Sequence, residues 1–100
     1  MSILDNDWLI YVGDTWIGTL VPTGSDDDWY YADFTPGDGW GNFAPWFQQA
    51  VEAHKSGDEG SWNSVYSQLL SMGLTISADN GESYNGPTLH IDGSQAWFVV

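Results

Sequence analysis

Between Ser25 and Phe47 the chain reads SDDDWYYADFTPGDGWGNFAPWF, which holds five of its 14 acidic residues and eight of its 16 aromatics, and no base. Carboxylates set among large flat side chains do not by themselves cleave or transfer anything. They form a surface that offers negative charge and aromatic anchors to a partner. Asp26, Asp27, Asp28, Asp33 and Asp38, with Trp29 and Trp40 as anchors, are the candidate contact residues. The competing reading places the aromatics in the core and leaves the aspartates as solvated loop, and for most single residues of the stretch it is the default, because aromatics dominate small cores.

Catalysis requires an acid, base or nucleophile beside a second group that tunes it. The chain has two histidines and no cysteine. His54 falls on an apolar helical stripe near a helix C-terminus, where an imidazole suits the dipole, and reads as structural. His90 stands two residues from Asp92 on one strand face, a spacing that can orient an imidazole but is common by chance. No serine sits in a G-x-S-x-G elbow. The run GDGWG at Gly37–Gly41 is not G-x-G-x-x-G, no Lys or Arg follows it, and Asp33 and Asp38 would repel a phosphate; its glycines read as punctuation that lets Trp40 turn inward. Asp26-Asp27-Asp28 lacks the spacing of a calcium loop. Paired carboxylates for glycoside cleavage would need a cleft that a lone domain of this size has little room for. The expectation is a protein that is not an enzyme and needs no cofactor or metal.

A length of 100 residues gives one domain, 1–100, and a 42 % apolar content gives it a core without staples. The absence of cysteine removes disulfides and thiolate metal sites together. Fourteen acids stand against Lys55 alone, for a formal net charge of −13. Direct nucleic-acid binding is disfavoured because nothing releases counterions from phosphates, and anionic membranes are disfavoured likewise. A basic protein groove is the partner that this field attracts. With no basic n-region, apolar h-region or membrane-spanning run, the expected location is the cytoplasm.

These residues must be positioned by a small set of elements. Trp8–Val12 and Thr15–Val21 read as strands joined by Gly13-Asp14, a type II′ hairpin, with Trp8, Ile10, Val12, Ile17 and Val21 on one face and Leu9, Tyr11, Trp16 and Leu20 on the other. Pro22–Asp28 reads as a polar turn region and Trp29–Phe34 as a third strand. Asn42 is the expected N-cap of a helix from Phe43 to about His54, with Phe43, Trp46, Phe47, Ala50, Val51 and His54 as its stripe. After a loop over Ser56–Gly60, Ser61 caps a second helix through Met72, with Gly73 beyond its end. Leu74–Ser77 is a short strand and Ala78–Pro87 a loop. Thr88–Ile91 and Ser94–Val100 form a hairpin about Asp92-Gly93, with Leu89, Ile91, Ala96, Phe98 and Val100 inward. The order βββ-αα-βββ predicts an α+β domain, an antiparallel sheet of about five to six strands with a helical hairpin packed on one side.

Trp16-Ile17-Gly18-Thr19-Leu20, Asp28-Trp29, Phe34-Thr35-Pro36-Gly37, Pro45-Trp46-Phe47, Met72-Gly73-Leu74-Thr75 and Leu89-His90-Ile91-Asp92-Gly93, in this order, resemble a family of small acidic proteins of high-GC bacteria. The resemblance spans nearly the whole chain and implies a compact domain, with no activity attached. In general character the chain is similar to immunity proteins of nuclease toxins and to phage inhibitors of host defence, anti-CRISPR proteins included. The functional expectation is an inhibitor-type protein, a DNA mimic in charge, monomeric or dimeric, that occupies the basic surface of a nuclease or other nucleic-acid-binding effector. The alternatives are a carbohydrate-binding module that uses its tryptophans and aspartates, or an acidic domain whose charge serves solubility alone.

Overall fold

The computed structural model describes residues 3–78 and 80–99, with the side chain of Glu59 excepted. Its fold is α+β. Seven strands form one antiparallel sheet: β1 (Trp8–Val12), β2 (Thr15–Asp26), β3 (Trp29–Pro36), β4 (Leu74–Ala78), β5 (Ser83–Asn85), β6 (Thr88–Asp92) and β7 (Gln95–Val99), in the order β5-β4-β1-β2-β3-β7-β6. Two helices, α1 (Trp40–Ser56) and α2 (Glu59–Ser71), connect β3 to β4. Strand residues Trp8, Ile10, Ile17, Leu20, Leu74, Ile76, Leu89, Ile91 and Phe98 share one buried cluster with Phe47 of α1 and Tyr66 and Leu69 of α2. Among the described residues no helix is long and apolar enough to cross a membrane.

Seven strands replace the expected five to six because β5 forms inside the stretch read as a loop, pairing Ser83–Asn85 with β4. The first hairpin turns as expected: Gly13 has φ 61° and Asp14 does not follow it into that region, as a type II′ turn requires. Its faces differ from the alternation. An irregularity between Ile10 and Tyr11 pairs Tyr11 with Trp16 but Ile10 with Gly18, so one extra residue enters β2. A one-residue insertion inverts every later position, and Leu20 is fully buried while Val21 is 38 % exposed. Gly18 is where the sheet tightens: a Cβ there would lie 2.4 Å from the Phe34 ring.

In the last hairpin the two-residue loop is Gly93-Ser94 rather than Asp92-Gly93, with Asp92 paired to Gln95 and Ile91 to Ala96. This moves the register by two residues, which preserves the faces, and Leu89, Ile91, Ala96 and Phe98 are buried as predicted. Val100 lies outside the described residues.

Helix α1 starts at Trp40, three residues before the expected start, with Gly39 at its N-cap and Pro45 inside it. The reason is a backbone clasp. Gly37 donates to Ile17 O and Gly39 to Trp16 O, and a Cβ on Gly39 would meet Thr15 Cγ2 at 2.4 Å. Glycine lets loop and strand touch there, which fixes where the helix begins. The cap of α2 is Asp58, whose carboxylate accepts from Ser61 N and Ser61 Oγ, so Ser61 is the capped residue rather than the cap. Gly73 follows α2 at φ 90°, as expected of a residue past a helix end.

Tyr66 ties the helical pair to the edge strand. Its buried hydroxyl donates to Pro87 O and accepts from Leu89 N. Burial pushes the phenol upward, against the smaller opposing effect of the Leu89 N–H. Replacing Tyr66 by Phe leaves a buried carbonyl and a buried N–H without that partner, and the expected loss is about 2 kcal/mol of stability. Urea unfolding of Tyr66→Phe beside wild type checks it, and equal midpoints would remove this tie from the account.

Candidate binding surface: the β2–β3 arm and an aromatic box

Strand β2 is long because its second half needs no neighbour on the β1 side. Strand β1 pairs with β2 only from Thr15 to Leu20, whereas β3 follows β2 to Asp26. On the other side β7 pairs with β3 only from Tyr30 to Asp33. The β2 edge of the hairpin thus runs on past β1 as an arm, while β7 flanks its β3 edge to within one residue of Trp29. A register shift between Pro22 and Gly24 bulges Thr23, whose Oγ1 donates to Tyr31 O at 3.3 Å. This arm occupies the stretch read from sequence as a polar turn; strand pairing with β3 overrode the Pro and Gly signals.

The tip is a two-residue turn, Asp27-Asp28, between the paired Asp26 and Trp29, with Asp27 in the left-handed region at φ 54°. Aspartate tolerates that region better than most residues. Asp26, Asp27 and Asp28 are all exposed. The structure therefore brings these three together with Trp29. Asp33 lies farther along β3, on the same side as Trp29 and Tyr31, and accepts from Gln95 Nε2 at 3.3 Å. Asp38 is exposed in the loop beyond the far end of β3. Trp40 is not at the tip either. It is half-buried, with its ring 4.6 Å from Phe34 and 5.4 Å from Phe47, and it lines a separate cleft with Lys55, Ile91 and Asp92.

Of the twelve acidic side chains described, eleven are exposed and Glu82 is half-buried. Lys55 spends its charge on Asp92 at 2.7 Å, both side chains being exposed. Asp92 thus faces a lysine and not His90, and the sequence pairing of His90 with Asp92 does not form.

Beside the tip, on the β7 side, aromatic rings surround His90. Its centroid lies 4.9 Å from His54, 5.3 Å from Trp97, 5.5 Å from Trp62 and 5.6 Å from Trp29. Trp62 and Trp97 are stacked on it, at 23° and 20°. Five elements supply these rings: β3, α1, α2, β6 and β7. Above them is a cavity of about 270 Å³ lined by Trp29, His54, Trp62, Asn63, Thr88 and His90. A shallower groove lined by Trp29, Tyr31, His54 and Trp97 shares two of its walls. Trp97 is half-buried and Tyr31 is 43 % exposed.

His90 is 2 % exposed, and its Nδ1 is buried without a hydrogen-bond partner, as is Nε1 of Trp62. Burial, with a smaller contribution from His54 beside it, lowers the imidazole from its ordinary 6.5 to about 4. His90 is therefore neutral at pH 7. His54 is exposed and stands at the mouth of the box, so the expectation of a wholly structural stripe residue is corrected: the buried residue at that end of α1 is Ala53. Sequence reasoning missed the box because its members are scattered along the chain. The one local signal was the shared face of His90 and Trp97, which are cross-strand partners.

Among the described residues no group of three or more histidines and carboxylates is placed to hold a metal ion. Comparison with protein-family models, with curated proteins and with solved structures finds no match to this chain. The functional reading consequently rests on the arm and the box themselves.

The buried imidazole makes a signed prediction. Between pH 6.5 and about 4 the unfolded chain binds a proton at this position that the folded chain does not. The contribution to stability is thus complete above about 6.5 and is lost as pH falls toward 4. Imidazole resonances of His90 should titrate near 4, and the stability difference between wild type and His90→Phe should change over that window. Titration near 6.5, with a difference flat in pH, would contradict the burial described.

Proposed function

We propose that the protein is a small acidic binding protein that docks, through the β2–β3 arm, on a basic and normally nucleic-acid-binding surface of another protein such as a nuclease or a defence effector. The observation that carries this reading is the arm: its β2 strand extends beyond β1 with an unpaired outer edge, it exposes Val21 and Tyr31, and it ends in three adjacent exposed carboxylates beside Trp29. A fold has no need to build such an element for its core. Spaced carboxylates on an exposed tip occupy the positions that phosphates would take in a basic groove, and the aromatics beside the tip supply contact area at low conformational cost. Asp26, Asp27, Asp28 and Trp29 are the contact residues; Asp33 extends the same face. Asp38 and Trp40, remote from the tip, contribute charge and core packing.

A second reading, recognition of a carbohydrate, is supported by the shallow groove lined by Trp29, Tyr31 and Trp97, on which a sugar ring can stack. A glycan array with saturable, salt-insensitive hits would favour it.

The test is capture from a lysate at low salt with the tagged protein, followed by elution with salt. A basic nucleic-acid-binding protein should elute, and its association rate should fall at least tenfold between 50 and 500 mM salt, about the range that electrostatic steering covers. Replacing Asp26, Asp27 and Asp28 together by Asn should slow association several-fold and leave the urea midpoint equal or higher. A partner whose association ignores both salt and these substitutions would exclude mimicry of phosphates.

A further inference from the structure

The structure assigns a ligand chemistry to the box around His90: we propose that it binds a guanidinium group, the head of an arginine side chain. The inference deepens the reading above, since it names the group of the basic partner that enters the protein, and it stands on separate residues. Three tryptophans, Trp29, Trp62 and Trp97, and Tyr31 present their π-faces and edges around one cavity and its groove. Ring faces carry negative potential and attract cations within about 6 Å of the centroid, most strongly when water is excluded. Among the described residues no carboxylate or lysine lines the cavity, and the rings are what it offers a cation, while the net charge of −13 raises the local concentration of any cation.

Guanidinium fits better than ammonium for two reasons. It is planar and weakly hydrated, and it stacks on flat rings, whereas an ammonium keeps its water. The floor of the site is already a parallel stack, Trp62, His90 and Trp97 within 23° of one another pairwise through His90, onto which a further plane can be laid. Size argues against an oligosaccharide in the cavity itself. About 270 Å³ lies below the range that drug-sized ligands occupy, and only Asn63 and Thr88 offer uncharged polar side chains to hydroxyls. The rings of Trp62 and Trp97 stacked on His90 hold the floor in place. Trp29 links the two sites, belonging to both the acidic tip and the box wall, so an arginine in the box is delivered beside Asp28.

The experiment is a titration of the full chain with N-acetylarginine amide, followed by tryptophan fluorescence and by the indole N–H resonances. N-acetyllysine amide, N-acetylcitrulline amide and methyl glucoside are the comparisons. Saturable binding of the arginine amide in the millimolar range is expected, with shifts at Trp29, Trp62 and Trp97 and at least fivefold weaker binding of the lysine and uncharged citrulline analogues. Trp29→Leu and, separately, Trp62→Leu should each weaken it at least fivefold; Trp29, outside the main core, serves if Trp62→Leu fails to fold. Equal binding of citrulline, or response to the glucoside alone, overturns the proposal, as does the absence of any saturable shift. To separate a free cation from a partner's arginine, the captured partner is tested against Trp62→Leu and Trp97→Leu, which leave the acidic tip and Trp29 in place. Capture that persists unchanged in both variants defeats the box and leaves the arm reading intact, whereas loss of arginine-amide binding and of capture together supports a partner's arginine as the occupant.

Discussion

Fourteen acidic residues and one lysine impose the constraint on which the rest of the structure depends. Ion pairs cannot organise this chain, and Lys55 with Asp92 is a surface pair of small worth. Carboxylates are therefore pushed outward, and cohesion falls to apolar burial and to neutral hydrogen bonds. Trp8, Phe47 and Phe98 are among the largest fully buried side chains, and the polar ties that matter are short and uncharged: Trp8 Nε1 to Ile3 O, and Tyr66 between Pro87 and Leu89. Mutual repulsion is least where charges stand farthest from the body, so the turn of a hairpin extended beyond β1 is a physically sensible place for three consecutive aspartates.

Strand β3 connects everything of functional interest. Its buried residues, Ala32 and Phe34, belong to the core, while Trp29, Tyr31 and Asp33 face outward and run from the acidic tip toward β7. Helix ends complete the surface from the other side. Gly57 and Asp58 make the turn between α1 and α2 so short that His54 and Trp62 both reach the ring of His90. The box exists because a tight helical hairpin is fastened to the edge strand by Tyr66.

Much of the fold was legible from residues alone. Gly13-Asp14 marked a hairpin, the helical stripes marked two helices, and the alternation of Leu89, Ile91, Ala96 and Phe98 marked the inner face of the last hairpin, robust to the two-residue shift of its register. What escaped were features decided by tertiary contact. The extra residue in β2 has no sequence signature beyond Gly18, the early start of α1 depends on Gly39 touching Thr15, and β5 forms only because β4 offers an edge. At the candidate site the acidic tip was visible as three aspartates before a tryptophan. Trp40 reads both as an anchor like Trp29 and as a ring that its glycines let turn inward, and its contact with Phe34 and Phe47 decides for the second. His54 looked like a core position, because helical periodicity locates a face and cannot say that its last turn passes the edge of the sheet.

The central claim is that the outer half of the β2–β3 hairpin is a contact surface. Backbone hydrogen exchange of the free protein and of its complex with a captured basic partner tests it most directly. The account predicts fast exchange in the free arm over residues 21–28, where the outer edge of β2 has no neighbouring strand, and marked slowing of that segment on binding, with the outer positions of α1 such as Gln48 and Gln49 unchanged. Slowing confined to the helices or to β5, with the arm exchanging as before, would contradict it.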